Sequence, residues 1–153
     1  MEIPRTMLYP VFVAIAVVAG IALPFQAGIN GQLRMYLQHP LRATLGNFVV
    51  GSLLLFVLTL FIRQPWPALS DALRGPWWMW LGGALGTLYV VSAIVVLPRL
   101  GASVTFALVV SGQMIASLAI DRFGLFGLTP TPLTLVRAVG ALMIVSGVYL
   151  LQR

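Results

Sequence analysis

Polar and charged positions along this chain fall in short clusters that separate long apolar runs. Residues 6–33, 43–62, 75–98 and 100–120 carry no charged side chain, and 133–151 carries one, Arg137. A helix that crosses a bilayer needs about 20 mostly apolar residues, within a range of roughly 17–25. The pattern therefore predicts an all-α membrane protein with five transmembrane helices, over 8–33, 43–62, 77–97, 101–121 and 133–151. These spans use up most of the 153 residues, so 1–153 is expected to be one transmembrane domain with no separate soluble part.

The connectors fit this division. Arg63-Gln64-Pro65-Trp66-Pro67 opens the longest loop, which closes at Gly75-Pro76. Leu97-Pro98-Arg99-Leu100-Gly101 reads as a tight turn between the third and fourth helices, and Thr129-Pro130-Thr131-Pro132 leads into the fifth. Proline is favoured near a helix start. The first run is too long for a cleavable signal peptide, and no small-residue cleavage site follows it. It is expected to stay as a helix, bent near Pro24. Trp66, Trp77, Trp78 and Trp80, with Tyr9, Tyr36 and Tyr149, cluster near predicted helix ends, where amphipathic rings suit the membrane–water boundary better than ligand stacking.

Composition agrees with the pattern. Hydrophobic residues make up 60% of the chain and charged residues 8%, against about 25% charged in soluble domains. Too few charges are present to cover a water-exposed surface, which excludes a soluble enzyme. The net charge of +6 comes from nine arginines against three acids. These arginines are spread singly between apolar runs, so no basic patch for nucleic acid forms. With no cysteine there is no thiol chemistry, and with no acid or histidine in the uncharged cores of the spans no metal site or acid–base pair is expected there. Neither enzymatic activity nor a cofactor is expected.

The arginines bear on orientation. Arg5, Arg63, Arg74, Arg122 and Arg137 fall on one predicted face, and Arg34, Arg42, Arg99 and Arg153 on the other. Orientation follows the arginine bias of short loops, and five against four is no bias. The expectation is dual topology, with copies inserted both ways and paired as an antiparallel homodimer. Five helices place the termini on opposite faces, and many transporters bind substrate near the midplane between inverted halves.

Polar residues inside the spans are the candidate chemistry. Gln26, Asn30 and Arg34 form one stripe at i, i+4 and i+8; Asn47 lies on the second helix, Thr87, Tyr89 and Ser92 on the third, and Gln113, Ser117 and Asp121 on the fourth. Gln26, Asn30, Asn47 and Gln113 are the candidate substrate-binding residues. The plainer alternative is inter-helix glue, worth on average only about 0.6 kcal/mol per bond. Arg34 and Asp121 lie at predicted helix ends, where snorkelling or an interfacial pair is the ordinary reading. Gly82 and Gly86 form a G-x-x-x-G pair suited to close helix contact, Gly28 and Gly31 sit late in the first helix, and Gly140 and Gly147 lie in the fifth.

Several segments resemble the YdcZ-type family of small bacterial inner-membrane proteins, within the drug/metabolite transporter superfamily. They are Phe25-Gln26-Ala27-Gly28-Ile29-Asn30-Gly31-Gln32-Leu33-Arg34, Asn47-Phe48-Val49-Val50-Gly51 and Leu81-Gly82-Gly83-Ala84-Leu85-Gly86. Leu97-Pro98-Arg99-Leu100-Gly101-Ala102 and Ser111-Gly112-Gln113 complete the likeness, which runs along most of the chain. The resemblance implies a five-helix unit equal to half of a ten-helix transporter, in the bacterial inner membrane. The stretch from Gly140 to Leu151 also resembles the last helix of the small multidrug exporters, which packs two subunits together, making Gly140, Ser146 and Gly147 dimer-contact candidates. Those exporters carry a glutamate in helix one; here that helix holds only amides.

The leading expectation is a small-solute transporter working as a dual-topology homodimer by alternating access, with the bilayer, a second copy and an unidentified small molecule as its partners. The alternatives are a non-transporting scaffold or accessory subunit and a small dual-topology channel.

Overall fold

The computed structural model describes residues 5–151, with the side chains of Arg5, Thr6, Met7 and Ala72 left out of the description. Of the arginines counted for orientation, Arg153 lies outside the described residues, as does the side chain of Arg5. Helix is the regular structure throughout: α1 (Arg5–Leu37), α2 (Pro40–Thr59), the short α3 (Leu69–Ala72), α4 (Leu81–Phe123) and α5 (Leu135–Leu151). Single 3-10 turns at Trp77–Trp80 and Leu125–Gly127 precede α4 and α5. The chain divides into two compact units, Met1–Val95 and Val96–Arg153.

Among the described residues, three helical stretches are long and apolar enough to cross a membrane, Leu8–Leu37, Pro40–Thr59 and Trp77–Phe123, with Leu135–Leu151 a shorter apolar helix. Five separate helices were expected from the charge-free runs. The structure keeps helical geometry through Pro98 and breaks it at Gly101, where φ is 76° and ψ is 167°, so α4 is two helices joined across a kink. That region of backbone space is open essentially to glycine only. The tight turn expected over residues 97–101 is thus a one-residue interruption. A straight helix of 43 residues would run about 65 Å at 1.5 Å per residue, about twice the hydrocarbon thickness of a bilayer. Pro24, expected to bend the first helix, lies inside the continuous α1.

In the first unit, α1 and α2 form an antiparallel pair joined by Gln38 and His39. Gln38 turns the chain with φ of 60°, and its N–H donates to the Arg34 carbonyl at 2.8 Å. His39 then caps α2, its Nδ1 accepting from the Leu41 N–H at 3.2 Å, with Pro40 at the first helical position. Here the cap, rather than hydropathy, sets the start of the helix, so α2 begins three residues before the expected 43. Gly46 faces α1, where a Cβ would lie in ordinary contact, 3.6 Å from Leu33 Cδ2. The core sits on Ala43, Val90 and Ile94, with Leu33, Phe48 and Tyr89 packed against it. Phe48 rests on Gly86, its Cζ 3.5 Å from where a Cβ would be. Ala43 meeting Val90 and Ile94 while Phe48 meets Gly86 makes this part of α4 antiparallel to α2, and therefore parallel to α1.

In the second unit, α4 ends at Gly124, a left-handed cap with φ of 60°. Glycine is the usual residue there because a side chain meets the preceding carbonyl. Asp121 ties the end together: its carbonyl accepts from the Thr131 N–H at 2.8 Å, and its Oδ2 lies 3.1 Å from Arg137 Nη2 on α5. Phe12, Phe25, Ile29 and many other apolar side chains stay exposed along the helices. A face this apolar is a surface for lipid or for other helices.

Candidate functional site

The polar stripe of α1 turns inward. Ala27 and Asn30 are buried and Gln26, Leu33 and Arg34 half-buried, while Phe25, Ile29, Gln32 and Met35 on the other side are exposed. This is the three-and-four spacing of one helix face. Asn30 is 3% exposed, and its Nδ2 has no hydrogen-bond partner. The Oη of Tyr89, on the parallel segment of α4, is likewise buried without a partner. Asn47 is half-buried on α2, between Gly46 and Phe48 in sequence.

The buried threonine and serine hydroxyls are accounted for within their own helices. Thr44 Oγ1 donates to the Pro40 carbonyl at 3.0 Å, Thr105 Oγ1 to Gly101 at 2.6 Å and Ser111 Oγ to Ala107 at 2.9 Å. No side-chain hydrogen bond links Gln26, Asn30 or Asn47 to another helix among the described residues. Glue between helices of one chain would need such bonds. A buried donor left unmatched costs several kcal/mol in hydrocarbon.

Arg34 was expected to snorkel or to pair at the interface. Its Nη1 instead donates to the Ile94 carbonyl at 3.5 Å, from a half-buried position. That carbonyl needs a donor because the residue four positions on is Pro98, which has no N–H. Proline four residues after a core isoleucine is a signal visible in the sequence, but the arginine that answers it is 60 positions away. Arg42 Nη1 similarly reaches the Leu37 carbonyl at the end of α1, at 3.3 Å. Tyr89 was noted as polar without a role; nothing local distinguishes it from an interfacial ring.

Gln113 lies in the second unit and is exposed. Gly86 packs on Phe48 of its own chain, whereas a Cβ at Gly82, Gly140 or Gly147 would meet nothing within 4 Å. Ser146 is exposed, with its hydroxyl on the Met143 carbonyl at 3.0 Å.

Residues 11–150 match the family described as "Putative inner membrane exporter, YdcZ". The chain is also 30% identical over 141 residues to Inner membrane protein YdcZ of Escherichia coli (strain K12), covering 92% of this chain and 93% of that one. No solved structure matches it. The family description points to transport rather than to catalysis. A match across nearly the whole of both sequences, joined to several helices able to span a bilayer, places the chain in the YdcZ family of bacterial inner-membrane proteins.

Proposed function

We propose that this protein is a small-solute transporter of the drug/metabolite type, acting as a dual-topology, antiparallel homodimer by alternating access. The observation that carries the reading is Asn30, a buried amide whose Nδ2 has no partner on an inward-facing polar stripe. Gln26, Asn30, Asn47 and Gln113 would line a midplane solute cavity between the two copies. The break at Gly101 would divide α4 into two single spans, giving five with α1, α2 and α5. The 17 residues of α5 reach about 26 Å at 1.5 Å per residue, which suits a bilayer core near 30 Å. Near-equal arginine numbers on the two faces support insertion in both orientations.

The test is solute uptake into proteoliposomes by wild type, Gln26→Leu and Asn30→Leu. Saturable flux in wild type, lost in both variants while each remains a folded dimer, supports the assignment. Undiminished flux in both variants removes it. Flux that does not saturate or exchange identifies a channel, and a dry, sealed cavity with no flux identifies a scaffold.

A further inference from the structure

The charge balance around the polar stripe narrows the kind of solute. Both described carboxylates are engaged elsewhere, Asp71 with Arg74 at 3.1 Å and Asp121 with Arg137 at 3.1 Å. Arg42, Arg63, Arg99 and Arg122 are exposed. Arg34 is half-buried, faces no acid among the described residues, and makes one hydrogen bond, at 3.5 Å. Most of the five N–H donors of its guanidinium are therefore free. A guanidinium keeps its charge at any accessible pH. Drawn away from water, such a charge calls for an opposite one.

Two further donors lie in the same unit. Asn30 is four residues before Arg34 on the same face, about 6 Å along the axis, and Tyr89 is five residues before Ile94, about 7.5 Å along the parallel α4. Asn30 Nδ2 and Tyr89 Oη are the two buried side-chain polar atoms without a partner among the described residues. Both can donate, and Tyr89 packs on the same Ala43–Val90–Ile94 core as Leu33, the residue preceding Arg34. A cation and two unsatisfied donors packed in one unit are a set suited to anionic oxygens, through charge-assisted hydrogen bonds.

We infer that Arg34, Asn30 and Tyr89 form an oxyanion-binding site, so that the transported solute is a small organic anion bearing a carboxylate or phosphoryl group. The substrate claim rests on the transport reading above; the binding claim does not. The headgroup of an anionic lipid carries the same chemistry, and the experiment separates the two sources.

The experiment uses the purified full chain in phosphatidylcholine nanodiscs, with benzoate and inorganic phosphate as probes and benzamide as the neutral isostere. Benzoate or phosphate raises the melting temperature saturably and benzamide does not. Arg34→Gln weakens the anion's affinity about tenfold or more, as expected for loss of a charged hydrogen bond. Because Arg34 also supports Ile94, Tyr89→Phe is the second variant. It removes only an unpartnered hydroxyl, keeps the melting temperature of the free protein, and weakens the anion about threefold or more. No anion response in wild type, or an equal response in both variants, overturns the site. An Arg34-dependent response to phosphatidylglycerol nanodiscs but not to free anions overturns the solute and assigns a lipid headgroup. Anion binding without anion uptake in proteoliposomes leaves the site standing and removes transport, whereas uptake of a neutral solute without anion binding does the reverse.

Discussion

Arg34 Nη1 stands 3.5 Å from the carbonyl oxygen of Ile94, the acceptor that Pro98 deprives of its helical N–H. Ile94 is fully buried, at 0% exposure, so water is no substitute. One side chain on α1 thus completes the hydrogen bonding of a different helix, at the edge of the stripe that carries Asn30. The arrangement couples a proline, an arginine and a core carbonyl.

Removing the arginine should cost stability only while the proline is present. Arg34→Met leaves a buried acceptor unmatched, at about 1 kcal/mol, the low end for such a loss because the bond is long. In a Pro98→Ala background the helix supplies its own N–H, and the same substitution should cost close to nothing. Thermal unfolding of the four proteins in detergent measures the coupling. Equal costs in both backgrounds would show that Arg34 does not act through Ile94.

Asn30→Leu should leave stability unchanged or raise it, since it removes a donor with no partner and keeps a similar volume. Uptake, by contrast, should fall to background. A drop in melting temperature with uptake intact would mean that Asn30 is a packing residue.

Two glycines with positive φ should resist substitution for different reasons. Gly101→Ala costs about 1–3 kcal/mol through backbone conformation alone, for a Cβ there meets nothing within 4 Å. Gly124→Ala should cost more, because its Cβ would lie 2.7 Å from Pro130 Cγ and 2.9 Å from the Leu128 carbonyl oxygen. The melting temperatures should rank wild type, Gly101→Ala, Gly124→Ala from high to low.

The small-residue positions should separate into two classes. Gly86→Leu overpacks against Phe48 and should destabilise the chain by about 1–3 kcal/mol. Gly82, Gly140 and Gly147 have room within the chain, so leucine at these positions should be tolerated by the monomer. If α5 joins two copies, Gly140→Leu and Gly147→Leu shift the species in size-exclusion chromatography from dimer to monomer without unfolding it.

Reporter enzymes fused at the C-terminus should be active on both sides of the membrane. Adding two lysines to the linker between α1 and α2 should then drive all copies one way, because loop cations set orientation. Activity confined to one side in the unmodified protein would exclude dual topology.

The helices were legible in the sequence because hydropathy and length are local. The uncharged run over 43–62 located α2 to within three residues, and the difference arose from a cap, in which His39 accepts from Leu41 and Pro40 sets the first turn. The turn read over residues 97–101 contains the break, which the structure narrows to Gly101, since helix tolerates a proline when another donor serves the freed carbonyl. The spacing of Gln26, Asn30 and Arg34 predicted one face. It could not say which residues of other helices that face would meet.

The sequence by itself determined the membrane class, the apolar helices, the absence of acids from the uncharged cores of the spans and the family. Each depends on residue type, short-range spacing or residue-by-residue likeness. Only the tertiary structure decided which polar atoms are left without partners. Thr44 and Ser111 satisfy themselves within a single helical turn, a result available to any helix. Asn30 and Tyr89 end up buried and unmatched, while Arg34 reaches a carbonyl 60 residues away. Those outcomes depend on how α1, α2 and the first part of α4 pack on Ala43, Val90 and Ile94. Satisfaction of a polar group is a property of the atoms around it, and helix packing brings those atoms together from distant parts of the chain.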